Sequence, residues 1–274
     1  MKHFAIGSTA EAGGARLLVI AGPCVVESAE MCLEVAEHMK GACAARGLPY
    51  VFKASYRKAN RSSARSFEGL GMEAALGILG QVKARAGVPI LTDVHDNDEI
   101  SLAAEVADVI QIPAFLSRQT GLIRAAARSG RAVNMKKGQF LAPDDMAQVV
   151  EKLTSAGCER ILLTERGTTF GYHDLVVDMR GLVTMRELGW PVVYDATHSL
   201  QRPGGEESGG ERKFALPLMR AAVACGVDGL FFETHPDPAR AKSDAATQLP
   251  LEEAEAFLDE ALRVREALGA RTHA

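Results

Sequence analysis

The sequence has no excess of positive charge: 31 Lys and Arg stand against 35 Asp and Glu, a formal net charge of −4. A chain so balanced carries no electrostatic footprint for a polyanion, which argues against nucleic acid as a partner. It also lacks a long apolar run. Stretches such as Leu17 to Ala21 fall far short of the roughly 20 residues that a bilayer helix needs. The opening MKHFAIGSTAEAGGAR has no apolar segment of the signal-peptide kind. The expected location is the cytoplasm, with no membrane partner. The five cysteines, at 24, 32, 43, 158 and 225, include no C-x-x-C pair. That disfavours a zinc ribbon or a disulfide framework and leaves each thiol to be judged singly. No low-complexity linker or charge run divides the 274 residues, so one domain is expected, residues 17–274, preceded by an extension of residues 1–16.

What is present is a regular alternation. Short apolar runs at Leu17–Cys24, Tyr50–Ser55, Pro89–His95, Val109–Phe115, Ala132–Lys137, Arg160–Arg166, Pro191–His198 and Gly229–His235 read as strands, and the segments between them have helical spacing. In the last segment Leu251, Ala254, Leu258, Leu262 and Leu268 recur along one side. Gly47-Leu48-Pro49, Gly87-Val88-Pro89 and Gly189-Trp190-Pro191 mark places where a helix ends and a strand begins. Eight strand–helix units in strict alternation predict a single-domain α/β fold, the (β/α)8 TIM barrel. An open dinucleotide-binding sheet would carry G-x-G-x-x-G after its first strand, and none is there.

In such a barrel the active site forms where the strands end. All eight runs end in groups capable of chemistry: Cys24, Lys53, Asp93 with His95, Gln111, Lys136, Arg166, His198 and Glu233. Lys53, Lys58, Arg61, Lys136, Lys137 and Arg166 concentrate positive charge on the second, fifth and sixth strands and the loop after the second. Nitrogen donors in that number suit phosphate and carboxylate oxygens, so a small ligand with two or more anionic groups is expected. Closure would set the first strand beside the eighth, gathering Cys24, His198, Glu233 and Asp244 into one arc, a candidate divalent-metal site. His95, His173 and His235 remain alternatives to His198. The loops Gln201–Arg212 and Glu233–Pro250 are long enough to be functional.

The segments AGPCVVES at 21–28, FKASYRKANRSS at 52–63, TDVHD at 92–96, QIPAFLSRQT at 111–120, NMKKGQF at 134–140, TERGTTFGY at 164–172, DATHS at 195–199 and FFETHPDPARAKSDAATQLPL at 231–251 together resemble the 3-deoxy-D-manno-octulosonate 8-phosphate synthases. The resemblance runs in order from about residue 17 to the last helix. The related 3-deoxy-D-arabino-heptulosonate 7-phosphate synthases typically have K-P-R-T-S where this chain has Lys58-Ala59-Asn60-Arg61-Ser62-Ser63. The resemblance implies condensation of phosphoenolpyruvate with D-arabinose 5-phosphate in lipopolysaccharide biosynthesis. It assigns Lys53, Lys58, Gln111, Lys136, Arg166 and the backbone at Ala114 to phosphoenolpyruvate, and Asn60, Arg61 and Ser62 to the sugar phosphate. Arg118 would reach a neighbouring subunit's site, implying a homotetramer. Metal-independent members have Asn where this chain has Cys24, so the resemblance also implies an ion (Zn, Fe, Mn, Co or Cd) on Cys24, His198, Glu233 and Asp244. Asp93 and His95 are candidates for proton transfer. A Schiff-base aldolase using Lys53 or Lys136 and a non-catalytic phosphosugar-binding barrel are the other readings.

Overall fold

The computed structural model describes residues 1–59, 67–202 and 209–269. Among the described residues, eight parallel strands close into a ring. In chain order they alternate with eight α-helices: β1 (Leu18–Gly22), α1 (Ala29–Ala45), β2 (Tyr50–Lys53), α2 (Met72–Ala86), β3 (Ile90–Asp93), α3 (Glu99–Val106), β4 (Val109–Ile112), α4 (Thr120–Arg128), β5 (Ala132–Lys136), α5 (Met146–Thr154), β6 (Ile161–Glu165), α6 (Met179–Glu187), β7 (Val192–Asp195), α7 (Ala215–Ala224), β8 (Gly229–His235) and α8 (Ala254–Ala267). Each strand pairs with the next, and β8 closes on β1 in the register Gly229↔Leu18 to Glu233↔Gly22. The barrel predicted from the alternation is therefore the fold.

The strands are buried on both faces, as a parallel sheet wrapped in helices requires. Their two side-chain parities build two cores. One parity, with Val19, Phe52, Ile110, Met135, Leu163 and Phe232, packs outward on the helices. The other, with Leu18, Ile20, Val51, Leu91, Val109, Ala132, Leu162, Val193 and Phe231, fills the interior. The turn glycines Gly47, Gly87 and Gly189 all have positive φ, +63°, +65° and +83°, the conformation a helix exit needs.

Ahead of the barrel, Phe4–Ile6 and Ala10–Ala12 form an antiparallel hairpin. Its Ile6, Ala10 and Ala12 join the interior core, so the hairpin is the barrel floor. Lys2 N donates to Gly189 O at 2.8 Å and fixes it there. In α8 the buried face is Ala254, Phe257, Leu258 and Ala261. Leu268, expected on that face, lies past the last helical residue and is exposed.

Candidate active site

Going up each strand, the inward parity changes from apolar to polar. Above the interior core stand Lys53, Asp93, Gln111, Asn134 with Lys136, Thr164, Asp195 and Glu233, all buried. Polar groups in such a place must satisfy one another or a ligand.

On one side of the mouth, Asn134 Nδ2 donates to Gln111 Oε1 at 2.8 Å and accepts at Oδ1 from Thr164 Oγ1 at 2.6 Å. Lys136 pairs with Asp195, and its Nζ lies 3.2 Å from the centroid of the Phe231 ring. Burial lowers the Lys136 pKa to about 8, against the opposing pull of Asp195. Arg166 is buried. Its Nη2 donates to Gln201 Oε1 at 2.7 Å, while Nη1 has no partner among the described residues. A buried guanidinium nitrogen left over in this way is suited to an anion.

The other side carries the sulfur and oxygen donors. Cys24 lies two residues beyond the end of β1, not in the strand as expected. Just before it, Gly22 lets β1 lie close against β2: a Cβ there would stand 2.1 Å from Lys53 O. Cys24 Sγ lies 3.0 Å from Ser243 Oγ and 3.1 Å from Asp244 Oδ2, with one S–H proton to share between them. Ligand atoms of Cys24, Glu233 and Asp244 all lie within 4.8 Å of one another. His198 sits in a 3-10 turn after β7. Asp195 accepts from the backbone N–H groups of Thr197 and His198 at 3.0 and 2.9 Å, and its Oδ2 is 2.8 Å from His198 Nδ1. A carboxylate with these charged partners only accepts, so Nδ1 carries the proton and the Nε2 lone pair turns to the cluster. Nε2 is 3.5 Å from Glu233 Oε1 and 3.9 Å from Asp244 Oδ2.

These donors fit a divalent cation. Burial and then the carboxylates of Asp244 and Glu233 push the Cys24 thiol well up, a conflict that a bound cation would remove. Glu233 Oε2 is buried with no partner among the described residues. Burial would raise the Glu233 pKa, but Lys53, His198 and Lys58 outweigh it and hold the carboxyl at about 2. Lys53, expected on the anion side, pairs with Glu233 and donates to Cys24 O at 2.9 Å, so it stands between the two halves. Lys58 Nζ donates to Ser55 Oγ at 2.9 Å.

Asp93 Oδ2 and His95 Nε2 are 3.1 Å apart. Burial opposes the Asp93 charge, yet His95, Lys58 and Lys53 hold its pKa well below the usual carboxylate range. His235 lies against Glu27, at 3.8 Å, and accepts from Asp237 N at 2.9 Å. His173 is exposed in a small hairpin after β6. Of the four histidines considered, His198 is the one set against the cluster. Lys137 does not join the mouth: it is buried outside the barrel on Thr168 Oγ1, at 2.9 Å, and Glu165, at 3.5 Å. Ala114 is buried at the start of a turn beyond β4, with Arg118 exposed past its end. Asn60, Arg61 and Ser62 lie outside the described residues. Asp195, Asn134 and Gln201 were not anticipated. Asp195 has a signal in the chain, the inward parity it shares with Val193, whereas Gln201 in its glycine-rich loop has none.

A family profile described as the DAHP synthetase I family matches residues 4–269. A protein of Trichlorobacter lovleyi named 2-dehydro-3-deoxyphosphooctonate aldolase is 53% identical over 259 residues, covering 94% of this chain and 95% of its own. A protein of the same name from Desulfatibacillum aliphaticivorans is 53% identical over 267 residues, covering 96% and 98%. Another, from Thioalkalivibrio sulfidiphilus, is 56% identical over 237 residues, covering 86% and 85%. A closed barrel, a polar mouth of this composition and likeness over nearly the whole length agree: the chain belongs to the DAHP synthetase I family, alongside the 2-dehydro-3-deoxyphosphooctonate aldolases.

Proposed function

We propose that the chain condenses phosphoenolpyruvate with D-arabinose 5-phosphate and water, giving 3-deoxy-D-manno-octulosonate 8-phosphate and inorganic phosphate for lipopolysaccharide synthesis. The observation that carries this reading is a single mouth with buried cations, Lys136 and Arg166, on one side and Cys24, Glu233 and Asp244 on the other. The name shared by relatives more than half identical to the chain supports the same reaction.

In this reading Lys53, Lys58, Gln111, Lys136, Arg166 and the backbone at Ala114 hold the phosphate and carboxylate of phosphoenolpyruvate, and Asn60, Arg61 and Ser62 hold the sugar phosphate. Fixing both substrates by their charged ends lowers the barrier by as much as about 7–11 kcal/mol in favourable cases. C3 of phosphoenolpyruvate bonds to the aldehyde carbon, C2 takes up the oxygen of water, and the C2–O bond to phosphate then breaks. Asp93 and His95 are the pair placed to give a proton to the new alkoxide or take one from the attacking water. Cys24, His198, Glu233 and Asp244 would hold a divalent ion (Zn, Fe, Mn, Co or Cd), whose chemistry when bound is that of a Lewis acid orienting the aldehyde or its neighbouring hydroxyl. Asp195 keeps His198 in the tautomer that binds cations, and Lys53 balances the Glu233 charge.

The assembly is a homotetramer in which Arg118 serves a neighbouring site. Phe115, Phe140, Phe170 and Tyr172 support it: they are 55, 53, 73 and 96% exposed on the successive loops after β4, β5 and β6, large apolar side chains of the kind that subunit contacts cover. No helix among the described residues is long and apolar enough to cross a membrane. The five unpaired cysteines suit a reducing cytoplasm.

Phosphate release from phosphoenolpyruvate tests the reading. Release is expected with arabinose 5-phosphate, and it should stop on exhaustive chelation and return with added divalent ion. Faster release with erythrose 4-phosphate would transfer the chain to the heptulosonate reaction. Full turnover after chelation would remove the ion from the scheme.

A further inference from the structure

Asp195 joins the two halves of the mouth from the barrel interior, through Lys136 and His198, and a loop side chain joins them from above. Gln201 accepts at Oε1 from Arg166 Nη2, at 2.7 Å, and donates from Nε2 to Asp244 Oδ1, at 2.8 Å. The amide has one possible orientation, because a guanidinium only donates and a carboxylate only accepts. Both neighbours depend on outside support. Arg166 is buried with Nη1 lacking a partner among the described residues. Asp244 has φ +48°, in the left-handed region that Asp tolerates better than most residues but still at a cost, so contacts that hold its side chain matter. Its other carboxylate oxygen faces Cys24 Sγ at 3.1 Å. Gln201 is itself anchored. It follows the His198–Leu200 turn and pairs with Gly210, and Glu211 N donates to Leu200 O at 3.1 Å.

We propose that Gln201 is a positioning residue that couples the anion site to the ion site. An anion engaged on Arg166 holds the amide, the amide holds Asp244, and the cluster of Cys24, Glu233 and Asp244 gains affinity for its cation. By linkage the cation tightens the anion site by the same factor. The inference rests on the functional reading above, which gives Arg166 to phosphoenolpyruvate and Asp244 to the ion.

The test is the affinity of the full chain for Mn²⁺ or Cd²⁺, measured by competition with a chromogenic chelator, with and without saturating phosphoenolpyruvate. In the unaltered protein the anion should tighten the ion by about fivefold or more. In Gln201→Met, which keeps the length of the side chain and removes both hydrogen bonds, the factor should fall below about twofold. A factor undiminished in Gln201→Met would mean that the coupling runs by another route, through Asp195 or between the ligands themselves, and would overturn the role. So would a factor of one in the unaltered protein, a result that needs no variant to fold. Phosphate release on the same sample separates the failures. Turnover with a factor of one overturns the role of Gln201 alone, whereas no turnover overturns the functional reading and this inference with it.

Discussion

Lys136 carries its charge inside the barrel, and burial has brought its pKa down to about 8. A bound anion favours the protonated form, so the pKa rises in the complex. Affinity for phosphoenolpyruvate is therefore full below about pH 8 and falls by up to about tenfold per unit above it, until the pKa of the complex is passed. Dissociation constants measured from about pH 7 to about pH 9.5 check this; a flat profile would mean that Lys136 does not face the anion. The contrast with Lys137 shows what a sequence yields at this scale. Both residues read as mouth cations, but side chains alternate along a strand, and Lys137 shares the outward parity of Val133 and Met135. It duly pairs with Glu165, which has the outward parity of β6. Parity would have removed Lys137 and added Asp195. Nothing in the chain could have revealed Gln201, since its role depends on where two separate loops come to rest.

Among elements, all eight strands were legible because each is a short apolar run buried on both faces. Their upper ends were not. The apolar-to-polar change that marks a strand end continues into the loops, so the pattern extends β1 to Cys24 and β7 to His198, past their ends at Gly22 and Asp195. In β7 the carboxylate of Asp195 draws the backbone N–H groups of Thr197 and His198 into a turn, which ends the strand three residues sooner. Residues 1–16 gave no functional signal, yet Ile6 is buried against the lowest interior layer. Ile6→Ala should destabilise the protein by about 2–5 kcal/mol through the cavity it leaves, while the mouth, at the opposite end, keeps its substrate affinity. Denaturant unfolding monitored alongside KM checks both. A change in KM with no loss of stability would mean that the hairpin is no floor.

At the scale of the whole molecule, the exposed aromatics require either solvent or other copies as their neighbours. If they bury one another between copies, replacing Phe170 and Tyr172 with Asp should reduce the mass in sedimentation equilibrium from that of four chains to that of one or two. An unchanged mass would place the interface elsewhere. Ring closure has a separate consequence. The pairing of Glu233 with Gly22 brings a thiol translated early into contact with acids translated late. While the polypeptide is still emerging from the ribosome, Cys24 has neither Glu233 nor Asp244 beside it. The proposed ion site is therefore complete only once synthesis has passed Asp244, and any choice of ion would be made on a nearly finished molecule rather than a growing one.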